Sequence, residues 1–99
     1  MQTKKFELLQ TDGWVALTDA ATQVLVQLRT EGRVEIVSST LEPTTAPVQG
    51  LLLTSAAFPV FSATGLGVTD IIWARIVGGQ SDTDTLIVMD NGNAPVGPA

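Results

Sequence analysis

Residues 69–79, TDIIWARIVGG, constrain the fold of this chain more than any other stretch. Ile71, Ile72, Trp73, Ala74, Ile76 and Val77 surround a single arginine, Arg75, so both faces of an extended segment are largely apolar. Period-two geometry puts Ile72, Ala74 and Ile76 on one face and Ile71, Trp73, Arg75 and Val77 on the other. The first set carries no charge and is expected in the core. The second must lie under loops or against a neighbour. There the stem of Arg75 can cover apolar surface while its guanidinium reaches water or a carboxylate. A strand that needs cover on both sides points to a two-layer β domain.

The rest of the chain reads as further short strands separated by turns. FELL at 6–9 and WVAL at 14–17 flank a QTDG turn at 10–13, and TDAAT at 18–22 reads as a loop. QVLVQLR at 23–29 alternates, with Val24, Val26 and Leu28 on one face and Gln23, Leu25, Gln27 and Arg29 on the other. RVEIV at 33–37 alternates again through Val34 and Ile36, placing Arg33 and Glu35 on the wetter face. With only TEG, 30–32, between them, these two runs are expected to pair as a hairpin.

SSTLEPTTAPVQG, 38–50, is a long connection whose Pro43 and Pro47 resist ladder pairing; it is expected either to cross between sheets or to form an exposed arm. LLL at 51–53 is a strand core, and Pro59 marks FPVF, 58–61, as an edge strand or bulge. GGQSDTD, 78–84, reads as a turn, TLIVM, 85–89, as the last strand, and DNGNAPVGPA, 90–99, as a flexible tail or a strap for a partner. The expectation is all-β: one domain over 1–89, a small antiparallel β-sandwich or β-barrel of about seven or eight short strands.

The chemistry on offer is limited. The chain has no cysteine and no histidine, which removes disulfides, thiolate chemistry, the commonest general base and the commonest metal ligand. Ser38, Ser39, Ser55, Ser62 and Ser81 have no histidine base, and no nucleophile-elbow pattern is present. Lys4 and Lys5 read as solvated charges near a terminus. Asp82, Asp84 and Asp90 would be the residues of a calcium site, but their spacing matches no calcium loop, and polar turn residues are the preferred reading. The Gly65-Leu66-Gly67 and Gly78-Gly79 pairs lack the lysine and helix of a phosphate loop. No enzyme activity, cofactor or metal is expected.

Five basic residues against ten acidic ones, a net charge of −5, form no phosphate groove, so no nucleic-acid partner is expected. No apolar run reaches membrane-spanning length and the start does not read as a signal peptide, so no membrane partner is expected either. A domain this small buries a limited share of its surface, and neighbours can complete what is left. Trp14, Phe58, Phe61, Trp73 and Arg75, with Pro43 and Pro47 in the connection, are the candidate interface residues.

The segments LLQTDGWVALTDAATQVLVQLRTEGRVEIVSS at 8–39, the proline-containing linker, and IIWARIVGG at 71–79 before a final short strand form a layout that resembles small structural proteins of tailed bacteriophages. The likeness spans roughly residues 6–89 and is one of layout rather than of a motif. It implies a virion component, assembled in the host cytoplasm, that works by association: a capsid decoration or cement protein bound to the major capsid protein. Such proteins are often homo-oligomers, commonly trimers. Related possibilities are a neck or tail adaptor and a fibre-anchoring module. A carbohydrate-binding β-sandwich, stacking a sugar on Trp14 or Trp73, belongs to a different class.

Overall fold

The computed structural model describes residues 2–9, 11, 13–41, 51–54, 58–78 and 83–93. Within them lie eight strands: β1 (Gln2–Leu9), β2 (Val15–Ala16), β3 (Gln23–Leu28), β4 (Arg33–Ser39), β5 (Leu51–Thr54), β6 (Val60–Thr64), β7 (Ile71–Gly78) and β8 (Thr83–Asp90). They form two four-stranded sheets, ordered β1-β8-β3-β6 and β2-β7-β4-β5, and every pairing is antiparallel. The all-β, two-sheet expectation is met.

Each strand in the first half of the chain pairs with its mirror in the second half: β1 with β8, β2 with β7, β3 with β6 and β4 with β5. The chain is thus one long hairpin folded back between β4 and β5. Two further pairings, β3 with β8 and β4 with β7, roll that hairpin into two layers. This connectivity is that of the eight-stranded jelly roll.

Side-chain alternation explains the rolling. Ile72, Ala74 and Ile76 of β7 point inward and are buried, as expected, together with Val34 and Ile36 of β4 and Leu53 of β5. The facing sheet contributes Leu8 of β1, Val24, Val26 and Leu28 of β3, and Leu86 and Val88 of β8. One inward row crosses that sheet from edge to edge, Lys4–Val88–Val26–Phe61, and Phe6–Leu86–Leu28 runs beside it. Each aliphatic side chain removed from water in these rows contributes roughly 2 kcal/mol. β7, the strand with two apolar faces, sits inside its sheet between β2 and β4.

Four sequence expectations need correction. β3 and β4 do not form a hairpin; they lie in different sheets, and residues 29–32 cross the sandwich. Alternation could not reveal this, because Val24, Val26 and Leu28 and then Val34 and Ile36 enter the same core from opposite sides. The crossing is held by side chains: the Thr30 hydroxyl accepts the Thr85 N–H at 3.1 Å and donates to Asp84 Oδ1 at 2.6 Å, while the Arg29 N–H reaches the Thr85 carbonyl at 2.9 Å.

The long connection does not change sheets, since β4 and β5 are neighbours in one sheet; its residues 42–50, with Pro43 and Pro47, lie outside the described residues. The strand expected over 85–89 spans 83–90, and residues 91–93 are tied to the body. Asn91 Oδ1 accepts the Thr22 and Gln23 N–H groups, and the Asn93 N–H reaches the Asp19 carbonyl at 2.7 Å. Residues 94–99 lie outside the described residues.

The fourth correction concerns Lys4, which is not a solvated charge. It is an inward-facing residue of β1. Its ammonium lies 2.8 Å from Asp90 Oδ2, donates to the Leu17 carbonyl at 2.7 Å and lies 5.7 Å from the centroid of the Phe6 ring. Lys5 points outward and pairs with Glu7 at the surface.

Candidate protein-docking surface

The two sides on which the sandwich ends differ in chemistry. On one side are β1 and β2. β1 carries Lys4 pointing inward and Lys5 and Glu7 pointing outward, and β2 is two residues long. On the other side are β5 and β6, brought together by a bridge between Thr54 and Phe58 in which the Thr54 N–H meets the Phe58 carbonyl at 3.1 Å. Between those edges opens a groove of about 480 Å³ lined by Leu51, Leu52, Leu53, Thr54, Phe58, Val60 and Phe61. Leu53 is buried and Phe61 packs against the core. The rim is exposed, Phe58 by 69% and Leu51 by 60%, with Leu52 and Val60 nearly half open.

The sequence from residue 43 to residue 69 contains no charged side chain, and both strands fall within it. An exposed apolar patch of this kind marks an interaction site. Of the candidate interface residues, Phe58 and Phe61 lie here. Leu51, Leu52 and Val60 were not singled out from the sequence. The charge-free run was the signal that could have found them, because alternation alone assigns half of any strand to a core.

The tryptophan face is built differently. The β2–β7 register sets Trp14 beside Arg75, and the β4–β7 register sets Glu35 on the other side of Arg75. The guanidinium lies 4.7 Å from the centroid of the Trp14 ring, and its Nε donates to Glu35 Oε1 at 2.9 Å. Trp14 is 6% exposed, and its ring packs under the Arg75 guanidinium. Trp73 is half-buried on the same outer face, and its indole N–H donates to the Ser39 carbonyl at 3.1 Å. Arg75 is therefore a structural residue that ties three strands together. Arg75→Ala is expected to lower stability by about 1–2 kcal/mol and to change the tryptophan emission of the folded state, read from a urea titration followed by fluorescence.

Among the described residues the carboxylates do not assemble into a site. Asp84 and Asp90 are both buried, but they sit at opposite ends of the inward face of β8, about 20 Å apart at strand rise, and cannot share a cation. Asp82 lies outside the described residues. Among the described residues no group of three or more histidine, cysteine, aspartate or glutamate side chains is placed to hold a metal ion. A second groove, about 730 Å³, runs between β1 and the 16–19 segment. It is lined by Gln2, Lys4, Lys5 and Glu7 together with the apolar Phe6, Ala16 and Leu17. Lys4 at its base is engaged by Asp90 and Leu17.

No protein-family model matches the chain, and neither a curated protein nor a solved structure matches it.

Proposed function

We propose that this chain is a structural protein that acts by association rather than catalysis, and that its place is on a virion as a capsid decoration or cement protein. The observation that carries the association reading is the uncharged apolar groove between the β5 and β6 edges. A surface of this kind is completed by another protein chain, because it offers no charge to a phosphate and no array of polar groups to a sugar. The virion reading rests on the likeness in layout to small tailed-phage structural proteins. Jelly-roll connectivity is compatible with it, being common in viral capsid domains, but lectins share that connectivity, so it ranks below the site itself. The sugar-stacking alternative has little platform: the Trp14 ring lies under Arg75, and Trp73 is half-buried with its indole N–H engaged.

Mass analysis of purified particles tests the proposal. A decoration protein is expected in hundreds of copies, and a neck or tail adaptor in about five to twelve. Absence of the chain from particles would overturn the virion reading. Added to particles that lack it, the wild-type chain is expected to bind, and the Phe58→Glu variant to bind at least tenfold more weakly.

A further inference from the structure

We propose that the Asn91-Gly92 pair, at the end of β8, is a modification site that the native fold holds shut. Asn91 keeps its amide while residues 90–93 are clasped to the body, and it converts without an enzyme to aspartate and isoaspartate once that clasp opens. The site shares no residue with the docking groove.

Asn91 and Asn93 are the asparagines of the chain, and Asn91 is the one followed by glycine. An asparagine side chain can be attacked by the main-chain nitrogen of the next residue. At this pair the Gly92 nitrogen bonds to Asn91 Cγ and closes a succinimide ring. The Cγ–Nδ2 bond breaks, and the side-chain nitrogen leaves as ammonia with the proton that Gly92 gives up. Water then opens the ring at either carbonyl. Opening at Cγ leaves aspartate in a normal main chain. Opening at the main-chain carbonyl leaves isoaspartate, in which the chain runs through the side chain. Glycine has no Cβ to hinder the attack. Asn91 is exposed, so water and base reach it, and exclusion of solvent is not what preserves it.

Hydrogen bonds do that instead. The attacking nitrogen is occupied: the Gly92 N–H donates to Asp90 Oδ1 at 2.8 Å, and a carboxylate acceptor favours the protonated nitrogen. The carboxamide is held at both ends. Asn91 Oδ1 accepts the Thr22 N–H at 2.9 Å and the Gln23 N–H at 3.0 Å, while Nδ2 donates to the Thr22 hydroxyl at 2.8 Å. The backbone beyond is pinned as well. Gln2 Nε2 donates to the Gly92 carbonyl at 3.0 Å and to the Asn93 carbonyl at 2.8 Å, and the Asn93 N–H reaches the Asp19 carbonyl. Ring closure requires Cγ and the nitrogen to meet, and these ties oppose the rotations that bring them together. The fold also explains why so reactive a pair is present. The Asn91 carboxamide supplies an acceptor for two N–H groups and a donor for a hydroxyl, and a Cβ at Gly92 would run into Asp19 and Ala21. The products differ in consequence. Aspartate keeps the acceptor for both N–H groups, and the Thr22 hydroxyl can turn to donate to it. Isoaspartate lengthens the main chain by one carbon and carries Gly92 and Asn93 out of reach of Asp90, Gln2 and Asp19. A chain that forms it cannot close the clasp again, which makes its unfolding irreversible.

Peptide mass mapping over time, at one mildly alkaline pH and one temperature, compares the native full chain with the same chain unfolded in guanidinium chloride. Asn91 is expected to convert at least tenfold faster in the unfolded chain, to aspartate and isoaspartate. Thr22→Val removes the hydroxyl that holds Nδ2 and keeps the N–H that holds Oδ1. In molecules that far-UV circular dichroism shows to be folded, this variant is expected to convert several-fold faster than the natural chain. The native-against-unfolded comparison needs no variant and stands if Thr22→Val fails to fold. After the denaturant is removed, isoaspartate is expected in the fraction that fails to refold and aspartate in the refolded one. Equal rates in the native and unfolded chains, an Asn91 that stays intact when unfolded, a folded Thr22→Val variant that converts no faster, or isoaspartate in the refolded fraction would each overturn the proposal.

Discussion

Replacing Lys4 by methionine is expected to cost about 3–4 kcal/mol of folding free energy, whereas the same change at Lys5, one residue on, stays within about 0.5 kcal/mol. The two lysines differ by the face of one strand. Lys5 is 62% exposed and its pair with Glu7 is screened by water, where such pairs contribute little. Lys4 is 10% exposed and its partner Asp90 is fully buried, so removing the ammonium leaves an uncompensated carboxylate inside the sandwich. Asp90 keeps two other donors, the Gln2 side-chain amide at 3.0 Å and the Gly92 N–H at 2.8 Å, which limit the loss. Methionine preserves the stem volume, so the deficit reports charge rather than packing. Adding Asp90→Asn to Lys4→Met is expected to recover part of it.

The same pair sets the acid limit. Burial pushes the Asp90 carboxyl upward, but the opposing effects of Lys4, Gln2 and the Gly92 N–H outweigh it, and the group lies below its ordinary value of 3.8. A depressed carboxylate contributes stability that is fully present above its unfolded value and is lost as pH falls through the folded one. Urea titrations are therefore expected to show no contribution of Asp90 to the pH dependence between pH 7 and about 5, and a loss below about 4 that Asp90→Asn abolishes.

Gly92→Ala is expected to destabilise the fold by about 3 kcal/mol, while Gly13→Ala costs about 1 kcal/mol. A Cβ at Gly92 would run into the Asp19 carbonyl, the Ala21 N–H and the Ala21 side chain, two of the three being backbone atoms that cannot swing aside. The displaced segment also carries the Gly92 N–H to Asp90 and the Asn93 N–H to Asp19, so the shift would loosen the surroundings of the Lys4–Asp90 pair. Gly13 has a left-handed φ of 69° but open space where a Cβ would sit, so alanine there meets conformational cost alone. Thermal melts of the two variants separate steric from conformational loss.

These contrasts mark what the sequence could and could not disclose. Alternation in 71–77 and 23–28 assigned the buried faces of β7 and β3 correctly, because period two is fixed by the strand backbone. It could not distinguish a hairpin from a crossing at 29–32, since both bury the same parity of residues. What fixes the crossing is long-range: Thr30 bonded to Asp84 and to the Thr85 backbone, residues more than fifty positions away. Lys4 looked solvated because it lies near a terminus, and only the register of β1 against β8, with Gln2 opposite Asp90, puts its ammonium beside that carboxylate. Arg75 was expected to cover apolar surface and reach a carboxylate, and the β2–β7 and β4–β7 registers supply the partners, Trp14 on one side and Glu35 on the other. The docking surface was legible in part. Phe58 and Phe61 stood out as aromatics, but the groove needs Leu51, Leu52 and Val60, whose role depends on β5 and β6 both being edges on one side of the sandwich.

That another chain covers the groove between β5 and β6 is tested most directly by amide hydrogen exchange at Leu52, whose N–H faces away from β4. Exchange is measured in the dilute protein and again in the associated state, whether concentrated or on the particle. A chain seated on the groove covers the outward N–H of Leu52, so its exchange is expected to slow at least tenfold on association while β1 amides keep their rates. Unchanged exchange at Leu52, with protection appearing on β1 instead, would contradict it.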